Sequence, residues 1–249
     1  MEATTQTLNG QRILITGAAK RIGAHVARRL HADGANVGVH YRSSDRDAQA
    51  LCAALNAERK DSAAAFGCDL TTDSVDELID RFVAWAGGLD ALINNASSFY
   101  PTPIGTITAE QWDDLMGSNL KAPLFLAQAA QPWLEKSNGN IVNMVDIHAR
   151  RPLRDHPVYG SAKAGLAMLT LSLAKDMAPK VRVNGIAPGA ILWPESGMSD
   201  TVQESIVEQI PLARSGTPND IAEGIVYLLT AGYVTGQIIA IDGGRRVGW

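Results

Sequence analysis

Residues 141–165, IVNMVDIHARRPLRDHPVYGSAKAG, decide how this chain is read. From Asn140 to Val145 a buried strand is predicted, because Ile141, Val142, Met144 and Val145 form a short apolar run that stops at Asp146. An acid closing a strand calls for a reason. Thirteen positions on lies Tyr159, with Lys163 four residues after it. If Pro157 opens a helix that continues through Leu166, Met168, Leu169 and Leu173, Tyr159 and Lys163 stand one turn apart on one face. That pairing has a chemical use. A free phenol has a pKa of about 10 and is a poor acid near neutrality, whereas a nearby ammonium favours the phenolate and draws the pKa down. Such a tyrosine can hand a proton to an atom that is receiving a hydride. Taken alone, the pair also fits a surface tyrosine beside a solvated lysine, and Asp146 also fits a helix cap or a loop acid.

Working outward, the rest of the chain alternates strand and helix. Arg12–Thr16 (RILIT) is an apolar strand that ends at Gly17, and a helical pattern with Val26 and Leu30 on its buried side starts near Ile22. Strand, glycine turn and helix open a dinucleotide fold. The alternation continues with strands at 35–40, 63–68 and 91–94 and helices at 45–59 and 74–86. One long helix is expected over 109–134, which Pro123 and Pro132 must kink, shorten or divide. Beyond Tyr159 follow a strand at 181–186, a helix at 218–229 and a last strand at 237–241. Parallel neighbours need crossover helices, so the expected fold is α/β: a single Rossmann-like doubly wound domain over 1–249 with a seven-stranded parallel sheet. The least regular stretch is 187–216, with Pro188, Gly189, Pro194, Gly197, Pro211 and Gly216. It follows the carboxyl end of a strand, where ligands bind in such sheets, and it reads as a substrate loop or lid.

The totals narrow the function classes. A chain of 249 residues with 46% hydrophobic and 19% charged residues can bury a large core. A net charge of −4 and a pI near 5.7 give no general attraction to nucleic acid or to an anionic membrane. Cys52 and Cys68 lack metal-ligand spacing, so no metal and no disulfide framework is expected. The opening MEATTQTLNGQR lacks the regions of a signal peptide, and no run approaches the roughly 18 apolar residues of a membrane span. A cytoplasmic setting is the expectation.

Four short motifs carry the chemistry. Thr16-Gly17-Ala18-Ala19-Lys20-Arg21-Ile22-Gly23 can wrap a pyrophosphate at a helix N-terminus, where free N–H groups and the helix dipole favour an anion. At the end of the second strand an NAD site generally offers an acid to the ribose hydroxyls. This chain offers His40-Tyr41-Arg42-Ser43-Ser44 and no acid before Asp45, which favours NADPH with Arg42 and Ser43 or Ser44 on the 2′-phosphate. A solvated Arg42 and a helix cap at Ser44 are the plain alternative. Asn94-Asn95-Ala96-Ser97 closes a strand with two amides that need partners if buried. Next comes Ser97-Ser98-Phe99-Tyr100-Pro101-Thr102-Pro103, an aromatic loop that by residue type alone also fits a hydrophobic plug. His148, Arg150, Arg151, Arg154 and His156 read as a mostly solvated basic patch, and His25 and His31 as helix-surface residues.

Over nearly its whole length the chain resembles the short-chain dehydrogenase/reductases, whose active-site pair Tyr159 and Lys163 fit. That family usually has glycine at Arg21 and serine at Asp146. Both departures, together with the wording of 97–103, resemble its pteridine reductase branch. The resemblance implies that Gly17, Arg21 and Ile22 lie on the cofactor's phosphates, that Asp69 and Leu70 meet the adenine, and that Asn95 and Ala96 line the cofactor site. It places Pro188 and Gly189 beside the nicotinamide and gives Asn119 the task of holding Lys163 and a water. Phe99 would sandwich a pterin against the nicotinamide, with Arg21 on its edge and Ser97 on that edge or on a cofactor phosphate. Tyr159 and Asp146 would deliver the proton, while Lys163 positions the ribose and lowers the tyrosine pKa. Asp242-Gly243-Gly244 follows the last strand, as at a subunit interface of a homotetramer. The implied activity is NADPH-dependent reduction of dihydrobiopterin or dihydromonapterin, or of dihydrofolate or folate, to the tetrahydro forms. The alternatives are a general carbonyl or 3-oxoacyl reductase with the same Tyr159 and Lys163, and a nucleotide-binding scaffold without turnover.

Overall fold

The computed structural model describes residues 7–193 and 197–248. Pro194 and the residues MEATTQ of the opening segment, which entered the reading above, lie outside the described residues. The strands are β1 Arg12–Ile15, β2 Asn36–Tyr41, β3 Ala63–Gly67, β4 Ala91–Asn94, β5 Asn140–Met144, β6 Arg182–Pro188 and β7 Ile238–Ile241. They form one parallel sheet in the order β3-β2-β1-β4-β5-β6-β7. Between them run α1 Arg21–Ala32, α2 Asp45–Glu58, α3 Val75–Ala86, α4 Ala109–Met116, α5 Ala122–Ser137, α6 Pro157–Asp176, α7 Asp200–Glu208 and α8 Pro218–Thr230. This is the doubly wound, Rossmann-like α/β fold that the alternation predicts.

The sheet is covered on both faces because side chains alternate along each strand. In β1, Ile13 and Ile15 pack with Val26, Leu30, Leu51, Leu55 and Ile225 of α1, α2 and α8. Leu14 points the other way, into Phe82, Leu126 and Leu134 of α3 and α5. On that second face Phe66, Phe82 and Trp85 meet edge to face, with Phe82 5.7 and 5.8 Å from the other two ring centres. The register runs Ile13 opposite Val37 on one side and Ala91 on the other, so β1 lies between β2 and β4. The strand order reverses at β1, which opens a crevice at the carboxyl ends of β1 and β4.

Three expectations are corrected. The helix expected over 109–134 is α4 and α5 joined by a π-helical turn, Gly117–Lys121. Pro123 falls in the first turn of α5, where its missing N–H costs nothing, while Pro132 lies inside α5. The loop at 187–216 contains α7, which buries none of its residues, so the sequence carries no strong apolar stripe there. His31 is not a surface residue: it is 2% exposed and its Nε2 lies 2.7 Å from Ser62 Oγ. Among the described residues no helix is long and apolar enough to cross a membrane.

Candidate active site

A cavity of about 610 Å³ fills the crevice, and Gly17, Arg21, Ile22, Arg42, Asp69, Leu70, Asn95, Ala96, Ser97 and Phe99 all line it. The glycine turn is built by close approach. Gly17 has φ +60°, and a Cβ there would come within 2.9 Å of Ala96 Cα. A Cβ on Gly23 would strike the Gly17 carbonyl and reach 2.7 Å from Asn95 Nδ2. Asn95 Nδ2 donates to the carbonyls of Thr16 and Gly17 at 2.9 and 3.0 Å, and Thr16 Oγ1 accepts from the N–H groups of Asn95 and Ala96, both at 2.9 Å. This knot ties the ends of β1 and β4 together. Arg21, which stands where the wider family has glycine, keeps the left-handed backbone, with φ 53°.

The start of α1 is poorly suited to its own stability. Lys20 caps it without a side-chain hydrogen bond, the first turn holds no acid, and Lys20 and Arg21 place cations at the positive end of the dipole. An anion at this end reverses the penalty. These residues therefore fit the pyrophosphate of a dinucleotide. Arg21 Nη2 also donates to the Trp193 carbonyl at 3.0 Å, joining the turn to the 187–216 loop.

His40 was not singled out from sequence, yet it organises the same turn. Gly17 N–H donates to His40 Nδ1 at 3.0 Å, which leaves Nε2–H to donate to the Cys68 carbonyl at 2.9 Å. Burial lowers the His40 pKa to about 4, so the ring stays neutral and keeps its acceptor. Lys20, Thr71, Ser98, Ser118 and Leu192 also line the cavity. Leu192, in the irregular loop, is open to reading from sequence as a pocket wall, whereas Thr71 and Ser118 carry no signal in their residue types.

At the outer end of the cleft Arg42 pairs with Asp114 at 3.6 Å. Asp69 is held ionised by Thr71, whose hydroxyl and N–H donate to Oδ1 at 2.6 and 3.0 Å. Tyr41 hydroxyl donates to Asp45 Oδ1 at 2.5 Å. Tyr41, Ser43, Ser44, Pro188 and Gly189 fall outside the cavity lining. Ser44 occupies the N-cap position of α2 but makes no side-chain cap bond.

The second cluster lies where α6 meets the end of β5. Pro157 opens α6, and Tyr159 and Lys163 sit one turn apart, only 5% and 3% exposed. The Tyr159 hydroxyl donates to Asp146 Oδ2 at 2.7 Å. Asp146 Oδ1 accepts the His148 N–H at 2.8 Å, so one carboxylate serves both as turn cap and as partner of the phenol. Phe99 bridges this cluster and the cavity: it meets the Tyr159 ring edge-on, with centres 4.8 Å apart, and is 52% exposed. His156, read above as part of a solvated patch, lies flat on Phe99 at 4.8 Å and 16°. Arg151 is likewise tied down, donating to the carbonyls of Arg245 and Gly248.

The expected lowering of the tyrosine pKa by Lys163 is corrected. Burial, then the charge and hydrogen bond of Asp146, hold the Tyr159 phenol well above its ordinary range. Lys163 Nζ donates to the Met144 carbonyl at 2.8 Å and lies 5.7 Å from the tyrosine ring centre. Complete burial brings the ammonium down to about 8, with the Asp146 charge acting in the opposite sense. Tyr159 thus stays protonated. Asn119, in the π-helical turn, donates from Nδ2 to the Ser98 and Leu115 carbonyls, both at 2.9 Å, while its buried Oδ1 has no partner among the described residues. A buried ammonium with protons to spare and an unmatched amide oxygen can each take a further polar partner. Asn94, by contrast, donates to Asn143 Oδ1 at 2.8 Å in a buried chain that reaches Thr170, a structural role.

Tyr159, Lys163, Asp146 and Asn119 are not among the residues lining the cavity, and their cluster meets it through Phe99. A switch-point cavity with a glycine turn, next to a buried Tyr159 and Lys163, is the arrangement of a nicotinamide-dependent reductase. Residues 17–246 match the family profile described as enoyl-(acyl carrier protein) reductase, and the chain belongs to the short-chain dehydrogenase/reductase family. Among its relatives is pteridine reductase 1 of Leishmania tarentolae, 36% identical over 274 residues that cover 93% of this chain and 94% of that protein. Another is the 3-oxoacyl-(acyl-carrier-protein) reductase FabG of Staphylococcus aureus, 34% identical over 236 residues that cover 93% of this chain and 96% of that protein.

Proposed function

We propose that the chain, working as one domain over 1–249, reduces dihydropterins to tetrahydropterins with NADPH. The observation that carries this reading is Asp146, in the position of the family's serine, bonded at 2.7 Å to Tyr159, whose ring meets the half-exposed Phe99. Bound nicotinamide supplies a hydride. A C=N bond also needs a proton at nitrogen, and Tyr159 is the donor, kept protonated by its surroundings. Asp146 orients the phenol and relays the replacing proton. Lys163 is the cation that positions the ribose, and Asn119 offers its unmatched oxygen to the same network. Phe99 supports a flat heterocycle by stacking, which a simple ketone does not need. Arg21 and Ser97 line the cavity where the heterocycle's polar edge would lie. Arg42 is the partner of the 2′-phosphate. By family resemblance the working form is a homotetramer.

A 3-oxoacyl reductase is the second reading, supported by the 34% identity to a protein of that name and by the shared Tyr159 and Lys163. The two separate on substrate. NADPH consumption is followed with dihydrobiopterin, dihydromonapterin, dihydrofolate, folate, a 3-oxoacyl thioester and simple ketones, in the native chain and in Asp146→Ser. The pterin reading expects turnover of at least one pterin, lost in Asp146→Ser. Turnover of the thioester with every pterin inert would replace it by the second.

A further inference from the structure

The end of β2 lacks the acid that marks an NAD site, but the fold brings one there from elsewhere in the chain. Asp114, on α4, places Oδ1 3.6 Å from the Arg42 guanidinium, while its Oδ2 accepts the Tyr100 hydroxyl at 3.0 Å. Both carboxylate oxygens are thus engaged, one by the cation at the outer end of the cleft and one by the aromatic loop. Arg42 also feels the charge of Asp69 across the same cavity. The pair is partly solvated, with the Asp114 side chain 32% exposed, so the guanidinium can be drawn away at modest cost.

We propose that Asp114 is a cofactor-selectivity residue: its carboxylate competes with a 2′-phosphate for Arg42 and narrows the margin by which NADPH is preferred over NADH. This rests on the reading of Arg42 as the phosphate partner. A 2′-phosphate brings about −1.5 to −2 charges and must share Arg42 with Asp114. A 2′-hydroxyl brings a donor and no charge, so the carboxylate costs NADH nothing. Removing the charge while keeping an oxygen for Tyr100 therefore favours one cofactor alone.

The test is direct binding of NADPH and of NADH to the purified chain, read by nucleotide fluorescence, for the native protein, Asp114→Asn, Arg42→Ala and Tyr100→Phe. Asp114→Asn is expected to tighten NADPH about three- to tenfold, the range of a partly exposed ion pair plus a like-charge contact, and to leave NADH within about twofold. Retained NADH binding shows that the variant is folded. Tyr100→Phe removes the other bond of Asp114 and should leave the NADPH-to-NADH ratio unchanged. An unchanged ratio in Asp114→Asn overturns the proposal, as does an equal shift in Tyr100→Phe, which would place the effect in the loop. If Arg42→Ala also leaves the ratio unchanged, the phosphate reading of Arg42 falls and the competition falls with it. If Arg42→Ala collapses the ratio while Asp114→Asn does not raise it, only the role of Asp114 is lost. No pterin enters the measurement, so the substrate reading stands or falls separately.

Discussion

Asp146→Asn tests the acid pair at its most exposed point. The amide oxygen can still accept the His148 N–H that Asp146 Oδ1 accepts at 2.8 Å, so the turn survives. What changes is the partner of the phenol at 2.7 Å, which loses its charge and half its acceptor capacity. A hydrogen bond to a charged group contributes about 1.5–3 kcal/mol, so its loss brings the phenol down from its raised position. Asp146 raises both Tyr159 and Lys163, so removing its charge lowers both. Turnover needs the phenol protonated and the ammonium charged. The alkaline limb of kcat/KM therefore moves to lower pH, and kcat falls about 10²- to 10⁴-fold, the usual size of a lost proton-transfer group. The assay is NADPH oxidation with dihydrobiopterin from about pH 6 to about pH 10, with Tm as the folding control. Native turnover combined with an unmoved alkaline limb would refute the argument.

Two further outcomes follow from single side chains. His40 stays neutral with a pKa of about 4 against 6.5 in the unfolded chain, so as pH falls between these values the unfolded state takes up the proton first. Stability is complete above about 6.5 and is lost toward about 4, on the order of 3 kcal/mol. Urea unfolding of the native chain and of His40→Gln across that window should show a shallower pH slope in the variant; coincident slopes would assign the loss elsewhere. Phe99→Ala removes a stacking surface of about 0.5–1.5 kcal/mol, so the pterin KM should rise about three- to tenfold while the NADPH KM holds within about twofold. An unchanged pterin KM would remove Phe99 from the pocket.

The strands, the glycine turn and the Tyr159–Lys163 pair were legible in the sequence because each is written in local spacing. An apolar run, a glycine between a strand and a helix, and an i, i+4 pair on a helix are patterns spanning a few positions. Contacts between distant segments are not written that way. The His40 ring beneath Gly17, the His156 ring on Phe99 and the Asp114 carboxylate at Arg42 join residues 23, 57 and 72 positions apart, and composition gives no register for them. The tyrosine's protonation was also settled in three dimensions. Residue type suggested an ammonium lowering a phenol, but burial and a carboxylate at 2.7 Å raise it instead. The chain's own sequence thus determined a parallel sheet with a glycine turn and a Tyr159–Lys163 pair on one helix. Tertiary packing alone decided which charges face one another across the cleft, since a pKa is set by desolvation and near charges rather than by position along the chain.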